Sequence, residues 1–192
     1  MLQPLLDRLA RYQPPASPVD AAVLIALTRE EVPRMILTRR AGHLNSHAGE
    51  VAFPGGKCDA TDASVVATAL REAEEEIGLA PDKVQVIGQL GVFTSRVGLK
   101  VRPVVGLLEE LPPLTPSPDE IESIFMVPLD LFLTQPPSYD HKIKFMGLKV
   151  TVPSYHYQDY MIWGLTGFMI VELIRLAYDA KIDWRWPNPL KS

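Results

Sequence analysis

The sequence predicts an α+β fold, organised as an α/β/α sandwich around a mixed β-sheet. Residues 21–28 form a continuous apolar run with the length of a buried strand, and residues 64–77 and 164–180 show the apolar spacing of packed helices. The predicted strands and helices follow one another without regular alternation, which disfavours a repeated strand–helix–strand architecture. A chain of 192 residues is long enough to enclose one sizeable core.

The first eighteen residues predict a short helix followed by a linker. Four leucines within residues 2–11 recur on one side of a helix, and three prolines within residues 14–18 end it. We therefore divide the chain into residues 1–18, an N-terminal helix with a Pro-rich linker, and residues 19–192, a single domain.

The other elements follow from apolar periodicity and from turn residues. Helix 64–77 takes Asp62 or Ser64 as its N-cap and ends at Gly78. Strands are predicted at residues 21–28, 34–38, 84–93, 101–108, 125–128, 142–145 and 148–157. Loops are predicted at residues 30–33, 40–56 and 111–118, and the final helix at residues 164–180.

The composition excludes several classes of function. The net charge is -4 and there is no basic tract, which argues against a nucleic-acid-binding protein. Glu172 and Arg175 interrupt the most apolar stretch, residues 161–178, so no membrane span is predicted. A single cysteine, Cys58, excludes a disulfide within the chain and favours a reducing compartment, so we expect a cytoplasmic protein.

Helix 64–77 concentrates carboxylates. Glu72, Glu75 and Glu76 fall within an arc of about 100°, opposite the apolar face. Like charges one turn apart cost about 0.2–0.5 kcal/mol per pair, and a divalent cation between them would remove that cost. Carboxylate oxygens favour Mg²⁺, Mn²⁺ or Ca²⁺ over Zn²⁺. Taken alone, such a pattern is more often a solvated acidic helix face, so both interpretations stay open here.

A glycine-rich loop, residues 53–57, precedes this helix, and the two together resemble the Nudix box, G-x5-E-x7-R-E-U-x-E-E-x-G-U, with U a bulky apolar residue. Asp62 falls at the first Glu position of the box with one extra residue before Arg71, and we interpret it as a helix cap. Ala73 stands at the first U position. The second half of the box is matched by Arg71, Glu72, Glu75, Glu76, Gly78 and Leu79.

Residues 36–56 resemble a narrower pattern, the coenzyme A pyrophosphatase signature L-L-T-x-R-[SA]-x3-R-x3-G-x3-F-P-G-G. Ile36 replaces its first Leu, and Asn45 stands at its internal Arg position. Further stretches also look like this subfamily and extend the resemblance over most of the chain: residues 68–73, 118–121, 125–129 and 162–166.

The resemblance implies a Nudix fold and a metal-dependent hydrolase that cleaves a nucleoside diphosphate derivative with water. It implies Mg²⁺ or Mn²⁺ as the cofactor. The implied metal ligands are Glu72, Glu75, Glu76 and the carbonyl group of Gly56 or Gly55.

The resemblance also implies a catalytic set, in which Arg71 orients a carboxylate and Glu75 belongs to the reacting centre. Members of the superfamily often recruit one more Glu from a later loop as a ligand or general base. Glu120 is our candidate because it follows the Pro-rich loop and matches the subfamily stretch, and Glu122 is its competitor.

An anionic substrate requires basic contacts, and coenzyme A carries a 3′-phosphate besides its pyrophosphate. Arg40 and Lys57 rank first because they belong to the motif region. The remaining expected substrate-binding residues are Arg39, Gly55 and Asn45. We expect other cationic side chains to be surface charges: Arg96, Lys100 and Arg102.

The favoured function is hydrolysis of coenzyme A or its derivatives to 3′,5′-ADP and 4′-phosphopantetheine, or to the acylated form of the latter. A second hypothesis keeps the enzyme class but changes the substrate to ADP-ribose, a dinucleoside polyphosphate or an oxidised nucleotide. A third is a non-catalytic nucleotide-binding Nudix module. Trp184, Trp186 and Pro187 are candidates either for covering the core or for a homodimer contact.

Overall fold

The computed structural model describes residues 1–44, 47–145 and 148–182. Four α-helices lie in this part of the chain, α1 (Leu2–Arg11), α2 (Val65–Ile77), α3 (Leu129–Thr134) and α4 (Gly164–Tyr178), together with a 3-10 helix at Pro81–Lys83. The strands up to the Pro-rich loop are β1 (Ala21–Thr28), β2 (Arg34–Arg40), β3 (Val51–Ala52), β4 (Gly55–Lys57), β5 (Gln85–Gln89), β6 (Phe93–Thr94) and β7 (Lys100–Leu108). Those after it are β8 (Ile121–Pro128), β9 (Ser138–Phe145), β10 (Leu148–Tyr157) and β11 (Tyr160–Ile162).

The main sheet is mixed, which confirms the predicted fold class. Its central path runs β3-β2-β1-β7-β5, with β1 and β7 parallel and the other neighbours antiparallel. Three further strands attach to this path, β4 on β1, β6 on β7 and β8 on β2. Strands β9, β10 and β11 form a separate antiparallel sheet that packs on α4.

Alternation along β1 separates the two helical layers. Leu24 and Ala26 belong to the core beneath α2, together with Ala69 and Ala73 of that helix. Ile25 belongs to the larger core on the opposite face, where α1 and α4 pack against each other. Because successive side chains of a strand point to opposite faces, this strand, apolar up to Thr28, contributes to both cores.

The N-terminal helix is integrated into this second core. Leu5 and Leu9 are fully buried, and α1 contacts both α4 and β5. No helix within the described residues is both long and apolar enough to cross a membrane.

Two predicted elements differ from the structure. The strand expected at residues 84–93 is interrupted between β5 and β6, opposite Pro103. Leu90 donates its N–H to the Pro103 carbonyl, and Pro103 has no N–H to return, so the ladder loses a bond there. The run at Leu129–Thr134 is helical and was not predicted, because six apolar-rich residues carry too little periodicity to identify a helix.

The other differences are extensions. The predicted strands at 34–38, 125–128 and 142–145 continue to the bounds of β2, β8 and β9. The loop predicted at residues 40–56 contains β3 and most of β4, and β11 was not predicted.

Candidate active site

Helix α2 begins and ends with capping residues that its sequence supplies. Ser64 is the N-cap, and its Oγ accepts a hydrogen bond from the Ala67 N–H at 3.1 Å. Gly78 closes the helix with a left-handed backbone (φ 68°), a conformation that glycine adopts without steric cost. These caps fix where the carboxylates of the last two turns stand.

Asp62 is not the cap of α2 but the main partner of Arg71. The guanidinium donates to both carboxylate oxygens of Asp62, at 3.0 and 3.1 Å, and the Asp62 side chain is only 7% exposed. The Arg71 guanidinium holds the pKa of Asp62 well below its ordinary value, assisted by the Asp59 N–H. This paired geometry is strong for charged groups, because two parallel bonds fix distance and orientation together.

The same guanidinium also reaches the helix carboxylates. Arg71 Nη1 lies 2.9 Å from Glu72 Oε1 and 3.0 Å from Glu75 Oε2, while Nη2 donates to the Lys57 carbonyl at 3.2 Å. Arg71 therefore ties the helix, the glycine-rich loop and the segment before the helix into one network, as expected for a residue that orients carboxylates.

Glu76 points into the protein, not away from the sheet as the helical arc suggested. Its side chain is 5% exposed, its Oε2 accepts the Gly55 N–H at 3.0 Å, and its Oε1 lies 3.7 Å from Arg40 Nη1. The pKa of Glu76 is raised to about 7, mainly by burial and in smaller part by the charges of Glu120 and Glu72, while the Gly55 N–H and Arg40 act in the opposite direction. Glu76 is thus a desolvated carboxylate among other negative charges.

Both glycines of the loop are closely packed, Gly55 against backbone and Gly56 against a side chain. A Cβ on Gly55 would overlap the backbone of β1 at Ala22 and Val23, and one on Gly56 would overlap the Glu72 carboxylate. The Glu72 side chain is 16% exposed, and burial raises its pKa. The loop therefore fits directly between β1 and the carboxylates of α2.

Glu120 interacts electrostatically with the helix carboxylates, and its role as a ligand or general base stays a prediction. Its charge contributes to the raised pKa values of both Glu72 and Glu76. The loop that carries it is tied to the end of β2, because the Ala41 N–H donates to the Glu120 carbonyl at 2.8 Å. Glu122, its competitor, instead pairs with Arg39 at 3.5 Å on the protein surface.

His43 makes a second contact between the signature loop and the Glu120 loop. Its Nε2 lies 3.2 Å from the carbonyl oxygen of Asp119, an atom that only accepts hydrogen bonds. His43 lies inside the signature of residues 36–56, but nothing in that pattern indicates which backbone carbonyl it meets.

A cavity of about 440 Å³ opens beside this cluster, within the usual size of a ligand pocket. Arg40, Lys57 and Gly55 line it, and Arg96 stands at its exposed rim. Arg39 pairs with Glu122 instead, and Asn45 lies outside the described residues. A larger concavity of about 490 Å³ lies on the flank of α1 and is lined by that helix alone, so it holds none of these groups.

Arg102 is not the surface charge that the sequence suggested. It is 7% exposed, and its Nη2 donates to the Pro15 carbonyl at 3.1 Å, so it fastens the Pro-rich linker to β7. It takes no part in the site.

The donor set of the cluster fits a hard divalent cation, since it consists of the carboxylates of Glu72, Glu75, Glu76 and Glu120. Within residues 1–44, 47–145 and 148–182, no three Asp, Glu, His or Cys side chains lie close enough together to surround an ion as they stand. Arg71 holds Glu72 and Glu75, whereas Gly55 and Arg40 hold Glu76. The assignment of metal ligands therefore remains a prediction.

Comparison with known proteins shows which family the chain resembles. Residues 18–146 match the NUDIX domain. The chain is 45% identical over 153 residues to the protein named "Uncharacterized Nudix hydrolase NudL" of Photorhabdus laumondii, covering 80% of this chain and 82% of that protein. The protein of the same name in Shigella flexneri serotype 5b is 42% identical over 173 residues, which cover 90% of this chain and 88% of that protein.

Solved structures support the fold. A MutT/nudix family protein from Enterococcus faecalis superposes with a TM-score of 0.53 at 16% identity, covering 88% of this chain and 66% of that one. The Nudix hydrolase RenU from M. smegmatis gives a TM-score of 0.50 at 18% identity, covering 60% of this chain and 74% of that one. At these identities the likeness concerns the fold alone.

Proposed function

We propose, from the premise that this chain belongs to the Nudix hydrolase family, that it cleaves the pyrophosphate bond of coenzyme A or its derivatives. The products would be 3′,5′-ADP and 4′-phosphopantetheine, or its acylated form. The membership gives the class of reaction, hydrolysis of a nucleoside diphosphate derivative, and the signature in residues 36–56 supports the choice of substrate.

The proposal rests on the two surroundings of the Arg40 side chain. Its guanidinium faces the buried Glu76 of the box helix and also lines the cavity. Its Nε is buried without a hydrogen-bond partner among the described residues. The Arg40 side chain as a whole is 25% exposed and lines the cavity, so a phosphate oxygen bound there would pair with the accessible part of its guanidinium.

The residues of this chain would have separate roles in substrate binding and in the reaction. Arg40 and Lys57 would bind phosphate oxygens, and the backbone of Gly55 and Gly56 would let the substrate approach closely. Glu120 would take a proton from the attacking water, because it lies near the cluster.

The metal ligands would be Glu72, Glu75, Glu76 and the carbonyl of Gly56, and Arg71 would keep Glu72 and Glu75 oriented. A bound Mg²⁺ or Mn²⁺ would supply Lewis-acid activation of the pyrophosphate. We also keep the division of the chain into an N-terminal helix with its linker, residues 1–18, and one domain, residues 19–192. The protein would be cytoplasmic, and its ligand would be a small molecule and not nucleic acid. The homodimer contact rests on Trp184, Trp186 and Pro187, which lie outside the described residues.

A substrate panel tests the proposal. Coenzyme A, ADP-ribose, NADH and diadenosine polyphosphates would be incubated with the protein and Mg²⁺ or Mn²⁺, and the products separated by chromatography. We expect coenzyme A to be cleaved to 3′,5′-ADP. Cleavage of another compound with coenzyme A left intact would overturn the substrate, and cleavage of none would favour the non-catalytic binding module.

A further inference from the structure

We infer that His43 is a positioning residue for Glu120, because its imidazole holds the peptide group that precedes Glu120 and so directs the Glu120 side chain. This inference rests on the proposed function, in which Glu120 takes a proton from the attacking water. It adds to that step a residue that acts only through the loop, since His43 lies outside the walls of the cavity.

The position of the Glu120 carboxylate depends on the backbone that carries it. Glu120 is exposed, and no hydrogen bond or ion pair of its carboxylate is found within the part of the chain that the structure describes. A general base must lie within hydrogen-bond reach of the proton it removes, and a misplacement of about 1 Å costs about a hundredfold in rate. The contacts of residues 115–120 therefore decide whether Glu120 can serve as the base.

Residues 115–117 are fixed on the last turn of α2. The N–H of Ser117 donates to the Glu76 carbonyl at 2.8 Å, and the N–H of Thr115 donates to the Ile77 carbonyl at 3.0 Å. Carbonyl groups in the last turn of a helix have no partner within the helix, so the loop supplies donors that they would otherwise lack. These bonds tie the start of the loop to the helix that carries the three carboxylates.

The peptide group between Asp119 and Glu120 is held on both of its sides. Its N–H, which belongs to Glu120, donates to the Ser117 carbonyl at 3.1 Å. Its carbonyl oxygen, which belongs to Asp119, accepts from His43 Nε2 at 3.2 Å. A peptide group is a rigid plane that ends at the Cα of the next residue, so bonds on two opposite edges fix the orientation of the Glu120 Cα. The bond from the Ala41 N–H to the Glu120 carbonyl at 2.8 Å then fixes the following peptide group.

His43 is the side-chain member of this arrangement, so it can be replaced without changing the backbone bonds. Because a carbonyl oxygen only accepts hydrogen bonds, the Nε2 of the imidazole carries the proton. A glutamine side chain extends its amide nitrogen about as far as Nε2, whereas an asparagine reaches only as far as Nδ1. The two amides therefore separate a requirement for this hydrogen bond from a requirement for an imidazole ring.

The first test replaces His43 and measures cleavage of coenzyme A with Mg²⁺. His43→Ala should lower kcat about tenfold and change KM by less than about twofold, because the loop loosens and the cavity walls are unchanged. His43→Gln should restore kcat to within about threefold of wild type, and His43→Asn should not. His156→Ala, which removes an exposed histidine of β10, should leave both constants unchanged. A wild-type kcat in His43→Ala, or equal losses in the Gln and Asn variants, would overturn the inference.

The second test asks whether His43 acts through Glu120. In Glu120→Gln the carboxylate is already absent, so adding His43→Ala should lower kcat by less than about twofold. An equal loss of kcat in the wild-type and Glu120→Gln backgrounds would mean that His43 acts independently of Glu120, which would overturn the inference and leave the proposed function intact. If the wild-type protein did not cleave coenzyme A, the proposed function would fail and the inference with it.

Discussion

Arg40 and Glu76 face each other across 3.7 Å between Nη1 and Oε1, and this pair joins strand β2 to the last turn of α2. The carboxylate is 5% exposed and the guanidinium 25% exposed, so both charges have lost much of their water. Each residue also has a second contact: Glu76 accepts a hydrogen bond from the Gly55 N–H, and Arg40 lines the cavity. The pair therefore couples the glycine-rich loop, the box helix and the cavity.

Replacing Arg40 by Met keeps most of the side-chain volume and removes the charge. We expect KM for the substrate to rise and the free energy of unfolding to fall by about 1–2 kcal/mol, because Glu76 loses its cationic neighbour. Steady-state kinetics and urea unfolding measure the two effects. Arg34→Met, on the same strand but paired with Glu30 at the surface, is the control and should leave KM unchanged. A normal KM in Arg40→Met would exclude Arg40 from phosphate binding.

Coupling between the two residues is measured by the double variant Arg40→Met/Glu76→Gln. Once Glu76 is neutral, loss of Arg40 leaves no unpaired charge behind. The double variant should therefore be more stable than the sum of the single effects predicts, by about 1 kcal/mol. Strict additivity would mean that the 3.7 Å pair contributes nothing to stability.

Glu120→Gln should lower kcat by about 10²–10⁴, because the amide cannot accept a proton from water. KM should change much less, since the volume and hydrogen-bonding reach of the side chain are kept. Glu122→Gln is the matched comparison, because Glu122 pairs with Arg39 on the surface. A larger loss of kcat in Glu122→Gln than in Glu120→Gln would reverse the assignment.

Asp62→Asn tests the Arg71 network through pH. The pKa of Asp62 is depressed in the folded protein, so the unfolded chain binds its proton first as the pH falls. The stabilisation is fully present above the ordinary Asp pKa of about 3.9 and is lost as the pH falls toward the folded value. Urea midpoints of wild type and variant should therefore differ most near pH 6 and converge toward pH 2. A constant difference over this range would argue against the ion pair.

The two loop glycines should respond differently to alanine. A Cβ on Gly55 meets the β1 backbone, which cannot move aside, so Gly55→Ala should lose about 1–3 kcal/mol of stability or more. A Cβ on Gly56 meets only the Glu72 carboxylate, at the end of a flexible side chain. Gly56→Ala should therefore fold with nearly the wild-type melting temperature and lose activity. Equal melting temperatures for both variants would contradict this account of the loop.

The sequence predicts the helix that carries the carboxylates, and its capping residues, because both depend on local signals. Glu72, Glu75 and Glu76 follow helical spacing, and the caps Ser64 and Gly78 are recognisable residue types. The orientation of Glu76 is not local, since it depends on Gly55 and Arg40, which the fold brings to the helix from distant positions. Angles around a helix say which residues share a side, not which strand or loop packs there.

Three other features depend on partners distant in the sequence. Asp62 stands at the first Glu position of the box, but its hydrogen bond to Arg71 depends on how the segment before α2 folds back along the helix, which residue spacing does not predict. The break between β5 and β6 results from Pro103 in the neighbouring strand. Leu165 and Met169 carry the apolar spacing of a core helix, and periodicity does not distinguish a packed core from a cavity wall.

The most direct test of the account is the effect of Glu76→Gln on cleavage of coenzyme A in the presence of Mg²⁺ or Mn²⁺, with Glu74→Gln as its control. Both changes remove one carboxylate from α2, but Glu74 is exposed and Glu76 is buried in the cluster. We predict that Glu76→Gln keeps its fold and melting temperature and loses turnover by orders of magnitude, while Glu74→Gln retains it. Metal-dependent release of 3′,5′-ADP at the wild-type rate by Glu76→Gln would contradict the assignment of the site.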